Sequence, residues 1–330
     1  MKDYVISLDP GKNTAKATGR EITEDEKLEL TRESFRSKIY DLNLGDVEVE
    51  DGSHKVIFGD DKVGVIIGEQ GTSSDHDTSK TTELQRLCTY TAITKFLEPD
   101  TKENKVYLVL ACPLEVVKIP EAKEEYKAFI KGDGPININV DDKDYTFEIV
   151  DIVIKAEGSG VIYTHPEFFE GKDTAVIDLG GLNLSFSVYR NKVIDAQSRF
   201  SEELGGDHLI ELVREKLKVY KKGNDVKKEE AEKALKNGFL YKLGEPDHDS
   251  SKYITMAKEQ YVKDVFESIK EKRQKLDTFQ EVVVIGGTTK RVESQIRNDY
   301  KNARVPSNPQ WESVDGLYKV AYARYVKTKK

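Results

Sequence analysis

Apolar positions recur along the chain in two periods, one of strands and one of helices. Tyr4-Val5-Ile6-Ser7-Leu8 is a short apolar run that stops at Asp9-Pro10-Gly11. Runs of this length bounded by turn residues predict strands. Residues 4–8, 14–18 and 28–31 are expected to form a small antiparallel set. Val47-Glu48-Val49-Glu50, Lys55-Val56-Ile57-Phe58 and Val63-Gly64-Val65-Ile66-Ile67 alternate between Gly or Asp turns and predict a β-containing insertion. A polar loop over 71–77 precedes a helix expected from about Thr81 to Leu97. There Leu84, Leu87, Cys88, Thr91 and Phe96 keep near-helical spacing, and Pro99 marks the end. Val106-Tyr107-Leu108-Val109-Leu110-Ala111 is continuously apolar, the pattern of a central strand covered on both faces.

A hairpin is expected over 136–155 around Asp141-Asp142-Lys143-Asp144, and a short helical segment after Glu157-Gly158-Ser159-Gly160. Strands restart at 174–179, 184–189 and 192–196. Glu203-Leu204-Gly205-Gly206-Asp207 opens a helix through Leu209 to Leu217, and helices fill 226–240 and 254–275. A buried strand at 281–285 precedes a helix from about Arg291, and Leu317, Val320, Ala321 and Tyr325 keep helical spacing near the end. The order strand–turn–strand, insertion, helix, strand in 4–111 is loosely repeated in 174–285. That repetition predicts two similar α/β lobes, each opening with an Asp-Gly hairpin, facing one another across a cleft.

Composition narrows the function classes. The chain has 330 residues, 34% charged and 37% hydrophobic, which suits a soluble two-lobed protein. No apolar stretch approaches the roughly 20 residues of a transmembrane helix, so no membrane partner is expected. The apolar core of the N-terminus is too short for a signal peptide. Cys88 and Cys112 lack metal-ligand spacing and any disulfide framework, and a cytoplasmic location is expected. A net charge of −8 argues against direct nucleic-acid binding, which needs a basic surface. Lys216 to Lys236 is rich in lysine but holds Glu229, Glu230 and Glu232, the pattern of a solvated helix.

The candidate chemistry lies in three glycine-bearing turns, each following a short strand. They are Asp9-Pro10-Gly11-Lys12-Asn13-Thr14-Ala15-Lys16, Asp178-Leu179-Gly180-Gly181-Leu182-Asn183 and Ile285-Gly286-Gly287-Thr288-Thr289. Glycine lets the backbone approach a ligand closely, and successive N–H groups in such turns make a concavity for phosphate oxygens. An Asp at the strand end would be repelled by phosphate, so it suits a hydrated Mg²⁺, which keeps several waters and one or two carboxylates. Two Asp-Gly turns facing each other would grip a triphosphate and its Mg²⁺. Any one turn alone is equally a tight β-hairpin, where Asp and Gly are favoured anyway; the set of three is the informative signal.

These segments resemble the actin superfamily, and most closely the bacterial plasmid-segregation actins of the ParM type. Asp9-Pro10-Gly11 with Lys16 is similar to the first phosphate motif, Asp178-Leu179-Gly180-Gly181 to the second, and Val284-Ile285-Gly286-Gly287-Thr288-Thr289 to the adenosine motif. Ala156-Glu157-Gly158-Ser159-Gly160 sits where the family has its first connecting helix. The resemblance implies an actin-like fold: two similar RNase H-like α/β lobes around a nucleotide cleft. Lobe I would be 1–172 with 307–330, carrying an insertion at about 45–97, and lobe II would be 173–306.

The resemblance also implies roles. Asp9 and Asp178 would hold the hydrated Mg²⁺. Gly11, Lys12 and Asn13 would bring backbone N–H groups to the β- and γ-phosphates of ATP or GTP, with Lys16 as a point charge. Gly180, Gly181 and Leu182 would form the opposing loop, and Glu157 with Asp178 would orient the attacking water. Gly286, Gly287, Thr288 and Lys290 would lie near the ribose and α-phosphate, Gly205, Gly206 and Asp207 near the ribose, and Lys236 and Asn237 in the base pocket. The implied activity is ATP or GTP hydrolysis in a self-assembled filament that segregates plasmid DNA. An adaptor protein on a centromere-like site would make the DNA contact. A small-molecule kinase on the same fold is the alternative, with Asp75 or Asp77 cast as the acceptor's base. Phe168, Phe169 and Trp311 are candidate filament-interface residues.

Overall fold

In the computed structural model the apolar run at the start of the chain is one of the inner strands of a large sheet. The structure describes residues 2–23, 30–59, 63–74, 80–101 and 103–327. It divides into two units, Met1–Thr164 with Ser313–Lys330, and His165–Glu312.

In the first unit the strands are β1 (Lys2–Pro10), β2 (Thr14–Glu21), β3 (Thr31–Arg36), β4 (Lys38–Asp41), β5 (Ser53–Phe58), β6 (Val65–Gly68), β7 (Ser73–Ser74), β8 (Asn104–Cys112), β9 (Ile136–Val140) and β10 (Lys143–Ala156). They join in the order β3-β2-β1-β8-β10-β9-β5-β6-β4-β7. β1 runs antiparallel to β2 and parallel to β8, and β8 is parallel to β10. Successive side chains on a strand point to opposite faces. Accordingly Ile6, Leu8, Leu108 and Leu110 pack with Leu84, Leu87 and Ile93 of the helix Glu83–Thr94. Val5, Val109 and Ala111 pack on the other side against Leu317, Ala321 and Tyr325 of the helix Glu312–Tyr325. Covering both faces explains why β8 reads as a continuous apolar run.

The 14-residue β10 serves two neighbours. Its first residues pair antiparallel with β9, and from Phe147 onward it pairs parallel with β8, with a bulge between Ile149 and Asp151. The turn between β9 and β10 is a two-residue one. Asp141 and Asp142 have φ of +55° and +61°, the left-handed pair that suits a hairpin's twist.

Several expectations are corrected. Val47 to Glu50 is not a strand. The Gln70 side chain takes up its backbone groups instead: Glu50 N–H donates to Gln70 Oε1 at 2.8 Å and Gln70 Nε2 to Glu48 O at 2.8 Å. β4 was not foreseen, and the third strand lies at 31–36; residues 28 and 29 fall outside the described residues. The helix Pro120–Lys131 was also not anticipated, although Pro120 stands in its first turn, Gly132 (φ +66°) ends it, and Tyr126 and Ile130 are its buried i,i+4 pair. The helix expected over 226–240 ends at Asn237, and Leu240 begins a short strand; the lysine-rich stretch 216–236 runs across two helices, as expected. Lys222 (φ +56°) and Gly223 (φ +96°) break it between Gly206–Tyr220 and Lys228–Asn237.

In the second unit Asp173–Leu179 pairs antiparallel with Leu184–Arg190 and parallel with Glu281–Ile285. The sheet order runs from Val193–Glu202 at one edge to Ala303–Arg304 at the other. Its core joins Ile177, Leu179 and Val284 to Leu209 and Val213, to Tyr261 and Val265, and to Val292 and Ile296 of three helices. Phe169 is fully buried and Phe168 stacks on His165, so Phe169 is a core residue and not an interface one. Among the described residues no helix is long and apolar enough to cross a membrane.

Candidate functional site

The turn between β1 and β2 is held from behind through its carbonyl groups. Lys80 Nζ donates to Pro10 O at 2.8 Å. Ser37 Oγ donates to Gly11 O at 2.6 Å, and Ser37 N–H to Asn13 O at 3.0 Å. A trans peptide points its C=O and N–H in opposite directions. Drawing the Gly11 carbonyl back therefore turns the N–H group of Lys12 forward. Because Pro10 has no N–H, its register pairing with Ala15 runs through the Gly11 N–H, which donates to Thr14 O across the hairpin. A Cβ at Gly11 would stand 2.6 Å from Thr14 O, so only glycine fits without rearrangement. Pro10 contributes no N–H of its own. Asp9 and Lys16 are register partners across the hairpin. Asp9 Oδ1 is buried and has no hydrogen-bond partner among the described residues.

Glu157 follows the end of β10 and is fixed through its main chain. Its N–H donates to Cys112 O at 2.9 Å, and the next N–H, that of Gly158, donates to Ser313 Oγ at 3.0 Å. Glu157 Oε1 lies 3.3 Å from Lys80 Nζ, so one ammonium touches both the turn and the carboxylate. Burial pushes the Glu157 carboxyl above the ordinary carboxylate range; the charge of Lys80 opposes the shift and that of Asp9 adds to it. Cys88 and Cys112 are buried, and burial raises both thiols to about 12, which leaves them unreactive.

In the second unit a comparable turn is built mostly from main chain. The carbonyl of Leu179 accepts from Thr288 N–H at 3.0 Å, and that of Gly180 from Gly206 N–H at 2.9 Å and Thr288 Oγ1 at 2.8 Å. The carbonyls of Gly181 and Leu182 accept from Asp207 and Gly205 N–H, each at 2.9 Å. With these carbonyls taken, the N–H groups of Gly181, Leu182 and Asn183 turn the other way, and none donates to another described residue. The glycines are spatial requirements: a Cβ at Gly206 would stand 2.7 Å from Thr288 Oγ1, and one at Gly205 would overlap Leu182. Gly286 has φ +101°, and a Cβ there would overlap the Asp178 carboxylate.

The sequence-predicted residues therefore fall into groups. Asp9, Gly11, Lys12, Asn13, Lys16 and Glu157 converge in the first unit; Asp178, Gly180, Gly181, Leu182, Gly205, Gly206, Asp207, Gly286, Gly287 and Thr288 converge in the second. Lys236 and Asn237 end the helix Lys228–Asn237. Lys228 Nζ lies 3.3 Å from Asp207 Oδ1, and at 1.5 Å per residue Lys236 is about 12 Å further along the helix, exposed with Asn237. Lys290 is exposed at the start of the helix Thr289–Asp299. Asp75 and Asp77 lie outside the described residues. Ser37 and Lys80 were missed by sequence reasoning. Ser37 sits between two strands that the pattern did not resolve, and Lys80 follows a polar loop without any motif.

Both turns suit an anion on their N–H groups beside a strand-end carboxylate. The orphaned Asp9 oxygen fits a hydrated divalent cation, which takes one or two carboxylates and needs no preformed cage. A family model described as actin-like proteins, N-terminal domain, matches residues 7–160. The filament structure of Alp12 is 45% identical, covers 98% of this chain and 100% of that one, and superimposes with a TM-score of 0.69. A 15-stranded ParM filament from Clostridium botulinum shares 16% identity over 98% of this chain and 100% of that one, with a TM-score of 0.75. The archaeal actin homologue Ta0583 in complex with ADP shares 15% over 97% of this chain and 99% of that one, with a TM-score of 0.72. No curated protein matches the chain. The fold is thus the two-lobed α/β fold of actin, which the two distant structures share. By its identity to Alp12 over nearly its full length, the chain belongs to the family of actin-like proteins.

Proposed function

We propose that this chain is a nucleotide-driven filament former. It binds ATP or GTP with Mg²⁺, assembles with copies of itself, hydrolyses the nucleotide in the polymer and moves plasmid DNA through an adaptor protein. The observation that carries this reading is the shared construction of the two turns, each with its carbonyls tied back and a strand-end Asp beside it. Asp9 and Asp178 hold the hydrated Mg²⁺, which supplies positive charge to the phosphate oxygens. Gly11 lets the first turn bring the Lys12 and Asn13 N–H groups to the phosphates, Lys16 adds charge, and Gly180, Gly181 and Leu182 form the opposing loop, in which the Gly180 N–H is held by Asn183 O. Gly286, Gly287, Thr288 and Lys290 serve the ribose and α-phosphate, and Gly205, Gly206 and Asp207 the ribose. Glu157 orients the attacking water with Asp178, and hydrolysis then relies on positioning and charge. Self-assembly draws support from the 45% identity to a protein solved as a filament.

Light scattering against protein concentration, with ATP–Mg²⁺ or GTP–Mg²⁺ and parallel phosphate release, tests the reading. A shared concentration threshold for scattering and hydrolysis is expected. Hydrolysis per molecule that stays flat, without scattering, would remove the filament and direct the search to phosphoryl acceptors.

A further inference from the structure

We propose that Lys80 is a positioning residue that locks the β1–β2 turn and Glu157 into one fixed arrangement. This rests on the nucleotide reading above. Lysine is almost never fully buried unless paired, yet Lys80 is only 3% exposed. Its ammonium is engaged twice, by Pro10 O at 2.8 Å and by Glu157 Oε1 at 3.3 Å. These acceptors come from two places, the end of β1 and the residue after β10, which in the sheet are separated by β8.

Each contact has a distinct consequence. Through Pro10 O, Lys80 sets the plane of the Pro10–Gly11 peptide and so the direction of the Gly11 N–H. This matters more here because Pro10 lacks an N–H, so the Gly11 N–H alone closes the last pair of the hairpin, and the plane of its peptide sets where the Lys12 and Asn13 N–H groups begin. Through Glu157, the ammonium fixes one carboxylate oxygen and leaves the other for a water. A neutral donor would hold the carbonyl but would not balance the charge of a carboxylate taken out of water. The same side chain therefore relates the place where phosphate binds to the group that orients the attacking water.

The test uses the full chain with Lys80→Met, Lys80→Arg, Glu157→Gln and the double variant Lys80→Met/Glu157→Gln. Three quantities are read: Tm without nucleotide, affinity for non-hydrolysable ATP and GTP analogues with Mg²⁺, and phosphate release above the assembly threshold. Lys80→Met is expected to slow phosphate release about 100-fold, the scale of a misplaced catalytic geometry. It is also expected to weaken analogue binding, and Lys80→Arg to restore part of both. The double variant is expected to regain Tm over Lys80→Met, because no uncompensated carboxylate remains, without regaining hydrolysis. Unchanged affinity and rate in a folded Lys80→Met protein would overturn the proposal. So would a rate that returns with Tm in the double variant, which marks a purely structural lysine. If the unmodified chain binds neither analogue, the nucleotide reading fails on its own. The Tm cycle then decides the bridge, and zero coupling between positions 80 and 157 would overturn it.

Discussion

Gly286 lies directly beneath the carboxylate of Asp178, in the space a side chain would otherwise take. Its φ of +101° and the overlap that a Cβ would make with Asp178 Oδ1 and Leu179 O restrict the position to glycine. Gly286→Ala is expected to cost about 1–3 kcal/mol from backbone conformation alone, with further loss from the displaced carboxylate. Thermal denaturation should show a lower Tm, and titration with a fluorescent nucleotide a weaker affinity. An alanine variant with unaltered affinity would separate Asp178 from nucleotide binding.

Ser37 holds the first turn from outside it. Ser37→Ala removes the donor to Gly11 O and leaves a carbonyl short of a partner, a change worth about 1–3 kcal/mol when the group is buried. Isothermal titration with a non-hydrolysable analogue is expected to show weaker binding. Equal affinities for variant and parent would mean that the Gly11 peptide keeps its direction without Ser37.

Glu157→Gln keeps the side chain's shape and its contact with Lys80 but removes the charge that the proposed function assigns to orienting water. Phosphate release is expected to fall by about 100-fold, within the usual range for a general base, while pelleting of polymer with nucleotide persists. Longer-lived filaments should follow. Undiminished phosphate release would take Glu157 out of the chemistry.

Asp141, in the β9–β10 turn, makes stability depend on acid. His54 Nδ1 lies 2.8 Å and Lys95 Nζ 3.0 Å from its Oδ2. Burial raises its pKa, but the hydrogen bonds from His54 and Lys95 outweigh that and bring it to about 2, below the ordinary 3.8. A carboxyl with a depressed folded pKa stabilises fully above the unfolded value and loses that contribution as pH falls through the folded one. The Tm gap between the parent and Asp141→Asn should be constant near neutrality and shrink between about pH 4 and pH 2. A gap that stays constant to pH 2 would show that the ion pairs contribute nothing.

The inner strands were legible because the sheets bury them on both faces: Val106 to Ala111 and Val282 to Ile285 are continuous apolar runs, and Ser7 alone interrupts Tyr4 to Leu8. Gly11, Gly180, Gly205, Gly206 and Gly286 could be picked out because close backbone approach leaves glycine as its trace. The outer strands were less legible. Val47 and Val49 alternate as a strand would, yet Gln70, distant in sequence, claims their neighbours' backbone groups. Lys80 and Ser37 left no pattern, since each acts through one contact made only after the chain has folded.

The two turns differ in who fastens them, and this sets how each tolerates mutation. In the second unit the fasteners are chiefly peptide N–H groups, which almost every residue supplies, so a side chain at 205 acts through size, and a change at 207 leaves the tie to Gly181 O in place. In the first unit two of the three ties are side-chain atoms of Ser37 and Lys80. A single nucleotide change in either codon can loosen that turn while every residue from Asp9 to Lys16 remains intact. Lineages that drift in nucleotide affinity should therefore record it outside the glycine motif, at positions that a search for the motif alone would pass over.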